Sequence, residues 1–251
     1  MQPYILGIVV LKDLFQQRRF GPRYGSFRSR IPLHTPSGPQ EVESDLEACF
    51  AVSASFAPGV YDILSQPIIE YRLNGERREY AADFAVQLYA DRSGLPLRYI
   101  VEVKRDAWLQ KHGPAQAERY AAISEAAGDL GFAFRIMRDV DIKTAYLLNA
   151  RQLSRHIPVV LDNFDADAID IIDNSGGQSV GQAIELLMRA GHSLAESRLR
   201  VERLLAHRLI SWDPDQQYGE SLSISGSSGV QNERTDAFLL RLEASIRFAK
   251  E

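Results

Sequence analysis

The sequence holds a single cysteine, Cys49, so no disulfide can form within the chain. Its longest early apolar run, Tyr4 to Leu11, is far shorter than the roughly 20 residues a membrane-spanning helix needs, and Lys12 and Asp13 follow at once. No basic segment precedes that run as it would in an export signal, so a cytoplasmic protein is expected. No internal repeat is visible. The five histidines (His34, His112, His156, His192 and His207) lack zinc-ligand spacing and have no second cysteine to join them. Gly176-Gly177 lacks the strand and the Lys-Ser/Thr context of a phosphate loop. Cys49, within Leu46-Glu47-Ala48-Cys49-Phe50, reads as helix packing and not as a reactive thiol.

What is present is an ordinary globular composition, 45% hydrophobic and 25% charged over 251 residues, enough for one larger and one smaller domain. The formal net charge of −4 hides an asymmetry. Residues 1–40 carry Lys12, Arg18, Arg19, Arg23, Arg28 and Arg30 against Asp13 alone, interleaved with Phe15, Phe20, Tyr24 and Phe27. That mixture suits a basic arm lying along phosphates, although a solvated extension has the same composition. Residues 31–40 are rich in breakers and close the arm.

Leu46, Cys49 and Phe50 recur at helical spacing, predicting an amphipathic helix over 43–56 that ends at Pro58-Gly59. Ile68 to Leu73, Asn74-Gly75 and Arg77 to Tyr89 predict a β-hairpin, because Asn-Gly accommodates a type I′ turn. A second turn at Asp91-Arg92-Ser93-Gly94 leads into Leu97 to Lys104, a central strand apolar on both faces except at Glu102 and Lys104. Pro114 is expected in the first turn of a helix that runs to about Ala127 and is ended by Gly128, with a strand over 132–137 after it. The result is an α/β unit with a mixed sheet over 41–174. Beyond a linker at Ser175-Gly176-Gly177, two helical stripes across a Gly turn and two short strands predict a winged-helix-like domain over 175–225. Residues 226–251 predict a tail helix from Thr235 to Lys250.

Period-2 geometry sets Glu102 and Lys104 on one face of one strand. Asp83 interrupts a neighbouring strand run, where aspartate fits poorly. The two carboxylates can therefore meet at one point and hold Mg2+, a hard cation that takes oxygen ligands. A third acid is expected from the preceding helix, where Glu43 and Glu47 lie one turn apart and each could face the sheet, and Glu47 is the expected one. Ser44-Asp45-Leu46-Glu47 is also a capping-box sequence, which alone accounts for Glu47. Such a cluster suits phosphodiester hydrolysis, with Lys104 orienting or activating the attacking water and offsetting charge in the transition state. Arg198 and Arg200, beside Arg203 on the later helix, are candidate DNA contacts, or a solvated face balanced by Glu196 and Glu202.

Ser44-Asp45-Leu46-Glu47, the Gln66-Pro67 step before a strand, Ala82-Asp83-Phe84 and Glu102-Val103-Lys104 stand in an order and spacing that resemble the TnsA family, over about residues 41–140. These are the endonuclease subunits of heteromeric transposases. The family often has proline before the aspartate where this chain has Ala82. The resemblance implies a restriction-endonuclease-like catalytic domain and a winged-helix-like C-terminal domain. It implies that Glu47, Asp83 and Glu102 bind Mg2+, with Mn2+ able to substitute, and that Lys104 completes the motif. It further implies cleavage of the 5′ strands at transposon ends beside a DDE-type transposase, TnsB, and an AAA+ ATPase regulator, TnsC. In the family the C-terminal domain is also a candidate contact for the ATPase. A free-standing restriction or repair endonuclease of the same fold and a catalytically inert DNA-binding adaptor are the alternatives.

Overall fold

A computed structural model describes residues 9–18, 28–90, 96–176, 178–226 and 236–248. Arg19, Arg23, the turn at Asp91 to Gly94 and both ends of the expected tail helix, Thr235 and Lys250, lie outside the described residues. The protein is mixed α/β and divides into two compact units, residues 1–143 with 239–251, and residues 144–238.

The first unit is built on a four-stranded sheet of β3 (Val60–Ser65), β6 (Phe84–Ala90), β7 (Pro96–Lys104) and β8 (Ala133–Arg138), in that order across the sheet. β7 runs antiparallel to β6 and parallel to β8, so the sheet is mixed and β7 is central. Continuous apolarity on both faces suits that position. β8 takes an antiparallel bridge from Ile246, whose backbone N–H and C=O pair with Ile136 at 3.3 and 3.1 Å and occupy part of that strand's open side. β4 (Ile68–Leu73) and β5 (Glu76–Ala81) form a separate hairpin whose turn holds Asn74 and Gly75 at φ 53° and 81°. Both residue types tolerate that left-handed backbone.

Three details differ from the sequence reading. The strand expected from Arg77 to Tyr89 is broken at Ala82-Asp83, where the chain leaves the hairpin and enters the main sheet. β3, which Val60-Tyr61-Asp62-Ile63-Leu64-Ser65 forms, was not anticipated. The long helix α3 starts at Asp106 and ends at Asp129, so Pro114 lies in its interior instead of its first turn. Its start is fixed by the Asp106 N–H, which donates to Asp139 Oδ1 at 2.9 Å, and by the favourable placement of an acid in a first turn.

The remaining elements of this unit are short, except α2. The basic arm is not separate where it is described. α1 (Leu11–Leu14) buries Leu11 completely in the core, and β1 (Ser29–Ile31) pairs with β2 (Gln40–Val42). Buried Asp62 pins both segments, accepting from Leu11 N–H at 2.8 Å and from Ser37 N–H at 2.9 Å. α2 (Asp45–Phe56) is capped by Ser44 and sets Phe50 against Phe84, ring centroids 4.8 Å apart. Register pairs Phe84 with Val101 and Ala85 with Ile100. Alternation then gives α2 one face of the sheet, while Ala85 and Ile100 share a core with Tyr120 and Ile123 of α3 and Tyr71 and Tyr80 of the hairpin. α4 (Asp139–Ile142) follows β8.

The second unit begins with α5 (Ala145–Leu153) and α6 (Asn163–Ser175), so the compact division falls at 143/144 and not at 174/175. Ser175-Gly176 is a helix end, with Gly176 at φ 69° supplying the left-handed cap, and not a boundary between units. α7 (Val180–Arg189) and α8 (Leu194–Ala206) follow, capped by Ser179 and Ser193. β9 (Ser211–Trp212) pairs antiparallel with β10 (Ile224–Ser225), and Ser223 bridges to Ser179. α9 (Ala237–Ala244) is shorter than the expected tail helix, and from Leu239 the chain belongs to the first unit. Among the described residues no helix is long and apolar enough to cross a membrane.

Candidate functional site

β7 delivers Glu102 and Lys104 to the sheet face that carries Ile100, two and four residues on. They form an ion pair there, Lys104 Nζ to Glu102 Oε1. Asp83 reaches the same point from the bend before β6. Its Oδ2 accepts from the Val103 N–H at 2.7 Å and lies 3.6 Å from Lys104 Nζ. One carboxylate thus holds the backbone of the strand that bears the other. The Asp83 side chain is 13% exposed and that of Lys104 26%, so the cluster is largely sheltered but reachable from solvent.

Tyr80, at the end of β5, closes the cluster on the hairpin side. Its buried hydroxyl donates to Glu102 Oε2, leaving Lys104 on the other oxygen. Arg119 of α3 lies over the Tyr80 ring at 5.1 Å, and Lys104 Nζ lies 5.9 Å from the Trp108 ring centroid. Tyr80, Trp108 and Tyr120 escaped the sequence reading. An aromatic in an amphipathic strand or helix carries no signal of the acid it meets elsewhere in the chain.

Electrostatics follow from this crowding. Burial, then the Glu102 charge, hold the Asp83 carboxyl well above the usual carboxylate range, against the pull of Lys104, with Glu47 adding to the rise. Burial alone would lower the Lys104 ammonium, but Asp83 and Glu102 outweigh it and the net direction is up. Burial and then Glu102 push the Tyr80 phenol up, so it stays a proton donor. Tyr120 is raised to about 12 by burial and by Glu102.

Of the four expected residues, three are brought together and Glu47 is not bonded to them. Glu47 Oε2 accepts from the Glu43 N–H at 2.9 Å and Oε1 from the Ser44 hydroxyl at 2.8 Å, while its own N–H donates to Ser44 Oγ at 3.1 Å. Ser44 is thus the N-cap, and the Glu47 carboxylate folds back onto the Glu43 N–H and the Ser44 hydroxyl, not onto the Ser44 N–H as in a complete capping box. Glu43 turns to Arg18, with which it forms an ion pair. Glu47 still contributes charge, since it raises Asp83.

The expected cation can be tested against this donor set. Among the described residues no group of three or more His, Cys, Asp or Glu side chains is gathered as an all-protein metal cage would require. Mg2+ instead retains waters and is usually held by one or two carboxylates with substrate phosphates. Asp83 and Glu102, two hard oxygen donors in mutual repulsion with one ammonium between them, fit that mode.

The candidate DNA contacts separate. Arg30 and Arg28 are exposed, and Arg18 is exposed beside Glu43. Arg198 pairs with Glu220 at 3.3 Å on the surface of the second unit. Arg200 is committed to Asp162 at 2.7 Å and Asp165 at 2.9 Å, with its side chain 16% exposed, so it ties α8 to α6 and is not presented for a nucleic acid. A groove of about 530 Å³ between hairpin and α3, lined by Glu70, Arg77, Ala122 and Glu125 among others, contains none of Asp83, Glu102 and Lys104.

The chain matches no family model and no curated protein.

Proposed function

We propose that the protein is a Mg2+-dependent DNA endonuclease, and more specifically the endonuclease subunit of a heteromeric transposase. The observation that carries the reading is the convergence of Asp83, Glu102 and Lys104, with Glu102 on β7, Asp83 at the bend before β6 and the Asp83 carboxyl held on the Val103 N–H. In this reading the first unit is restriction-endonuclease-like. The α7–α8 pair with β9 and β10 is a winged-helix-like module. The order and spacing of the TnsA-like motifs favour 5′-strand cleavage at transposon ends alongside TnsB and TnsC over a free-standing nuclease.

Asp83 and Glu102 hold the ion in this mechanism, and Mn2+ suits the same oxygens. When bound, Mg2+ supplies charge neutralisation at the phosphate and lowers the pKa of water for attack. Tyr80 fixes one oxygen of Glu102 by hydrogen bonding, so the carboxylate needs no reorientation during reaction. Lys104, whose ammonium is stabilised and not destabilised by its surroundings, acts as a cationic donor and not as a base. It orients the attacking water and offsets the negative charge that builds on the phosphate oxygens. Glu47 stands behind these groups as a helix cap whose charge adds to the local demand for a cation.

The test is strand cleavage of transposon-end DNA in Mg2+ with the partner subunits present. Asp83→Ala and Lys104→Ala are each expected to lower the rate by about 10²–10³-fold or more, the cost of deleting a preorganised charge-stabilising group. Undiminished cleavage by either variant sinks the assignment.

A further inference from the structure

The segment from Gln16 to Arg18 runs beside the step that ends at Asp83. The Arg18 N–H donates to the Gln66 carbonyl at 3.0 Å, and the Gln66 N–H donates to the Asp83 carbonyl at 2.9 Å. A cavity of about 330 Å³ opens at this seam, lined by Gln17, Arg18, Arg30, Pro39, Glu41, Ser65 and Gln66. A second, of about 270 Å³, shares Arg30 and Glu41 with it and adds Arg28. Gln66 is only 3% exposed, while Arg18 and Arg30 are exposed at the cavity.

Gln66 also has an uncommon backbone. It adopts φ 52° and precedes Pro67, two conditions that disfavour a side-chain-bearing residue there. Strain of this kind persists only where surrounding bonds impose it, and it gathers at binding sites. Here the two peptide hydrogen bonds and the Gln17 amide on the Ser65 carbonyl, 2.9 Å, impose it. Gln66 thus lines one cavity with Arg18 and Arg30, one backbone hydrogen bond away from Asp83.

We propose that this cavity seats a backbone phosphate of the DNA strand whose adjoining diester lies at Asp83 and Glu102. Guanidinium groups pair with phosphate oxygens in two-point fashion, and an amide donor completes a phosphate contact without reading sequence. Glu41 and Glu43 limit the local excess of positive charge, which keeps the subsite selective for a diester seated on both arginines over diffuse attraction to any polyanion. The proposal rests on the endonuclease reading. It adds the side on which the cut strand runs and the residues that fix its register.

The experiment measures binding of the full chain to a short fluorescent duplex by anisotropy from 50 to 300 mM salt, with Ca2+ in place of Mg2+, and cleavage separately in Mg2+ with partner subunits. One lost phosphate contact makes the slope of log K against log salt shallower by about 0.9. Arg30→Gln is expected to weaken binding about ten-fold at 0.1 M salt and to flatten the slope by about 0.9. Arg30→Lys should keep most of the slope, and Arg189→Gln, in an exposed pair with Glu185, should match wild type. Arg30 is exposed, so its variants are expected to keep the fold, checked by thermal melting. Arg18→Gln combined with Arg30→Gln provides the second variant and should lose more than either alone. Wild-type affinity and slope in that double variant overturn the subsite, and if Asp83→Ala still abolishes cleavage the endonuclease reading stands without it. Weaker binding with an unchanged slope also overturns the subsite, since the contact would not be ionic. A wild-type chain that neither binds the duplex nor cleaves it overturns both.

Discussion

Asp83 and Glu47 show how differently two acids of one motif are used. Asp83 is raised by burial and by Glu102, so its folded pKa lies above its unfolded value near 3.8. Below that value the group is protonated in both states and costs nothing. As pH rises through the window between the unfolded and folded values, the folded state binds the proton more tightly than the unfolded state, and stability falls. Without metal, Asp83→Asn is therefore expected to raise Tm at pH 7 relative to wild type, and by less at pH 3, while abolishing cleavage. A drop in Tm would show that Asp83 is stabilised there in its charged form. For Glu47 the informative change is to Gln, whose amide oxygen can still accept from the Glu43 N–H while its own N–H stays on Ser44 Oγ. Glu47→Gln should leave Tm within about 1 °C, because the cap remains, yet weaken Mg2+ binding by several-fold in calorimetry, because its negative charge is lost. Unchanged Mg2+ affinity would reduce Glu47 to a cap alone. From sequence, Glu102 and Lys104 were legible because strand alternation alone puts them together. Tyr80 was not, since its bond to Glu102 joins residues 22 apart in two different sheets.

At the scale of elements, short-range chemistry was readable and long-range pairing was not. Ser44 marks the start of α2 and Asn74-Gly75 the hairpin turn, both set by backbone preferences within a few residues. The break at Ala82-Asp83 left a local trace in the ill-fitting aspartate, but it was read as one odd residue in a strand because the sheet each half joins is set by long-range pairing. α3 shows a further limit. Proline read alone marks a first turn, but here Gly113-Pro114 is carried inside a helix whose Leu109, Tyr120, Ile123 and Ala127 are buried in the core. Packing outweighs the local penalty, which is about 3 kcal/mol for proline in a helix interior. Gly113 suits the place before Pro114, because in helical backbone a Cβ there would crowd the proline ring. Gly113→Ala is expected to lower stability by about 1 kcal/mol in urea melts without changing DNA cleavage. A stabilised variant would mean that the helix propensity of alanine outweighs that crowding. Ser44→Ala removes the hydroxyl that accepts from the Glu47 N–H and donates to its carboxylate, and should also cost about 1 kcal/mol.

At the scale of the whole molecule, the two units carry acids perturbed in opposite directions, and this gives them opposite responses to pH. In the second unit Glu202 is 4% exposed, and burial alone would raise it. The hydrogen bonds from Arg155 at 2.8 Å, His156 at 3.0 Å and Tyr218 at 3.2 Å outweigh that and lower it. Asp162, bonded to Arg200, is lowered as well. Their contribution to stability is fully present above the unfolded values, near 4.5 and 3.8, and is lost as pH falls through the lower folded values. The first unit, through Asp83, loses stability in the other direction, as pH rises above about 3.8 in the absence of metal. The chain's two tryptophans fall one to each unit, Trp108 in the first and Trp212 in the second, where its Nε1 donates to the Leu205 carbonyl at 3.1 Å. Trp212→Phe leaves the first unit as the sole tryptophan reporter, and Trp108→Phe leaves the second. In EDTA the Trp108 signal should melt at a lower temperature at pH 8 than at pH 5, and adding Asp83→Asn should flatten that dependence. The Trp212 signal should instead lose stability between pH 5 and pH 3. Mg2+ at about 100 times its Kd should raise only the first transition, by up to about 2.7 kcal/mol. If both signals shift together with pH and with Mg2+, the two units unfold as one and the separation of their electrostatics fails.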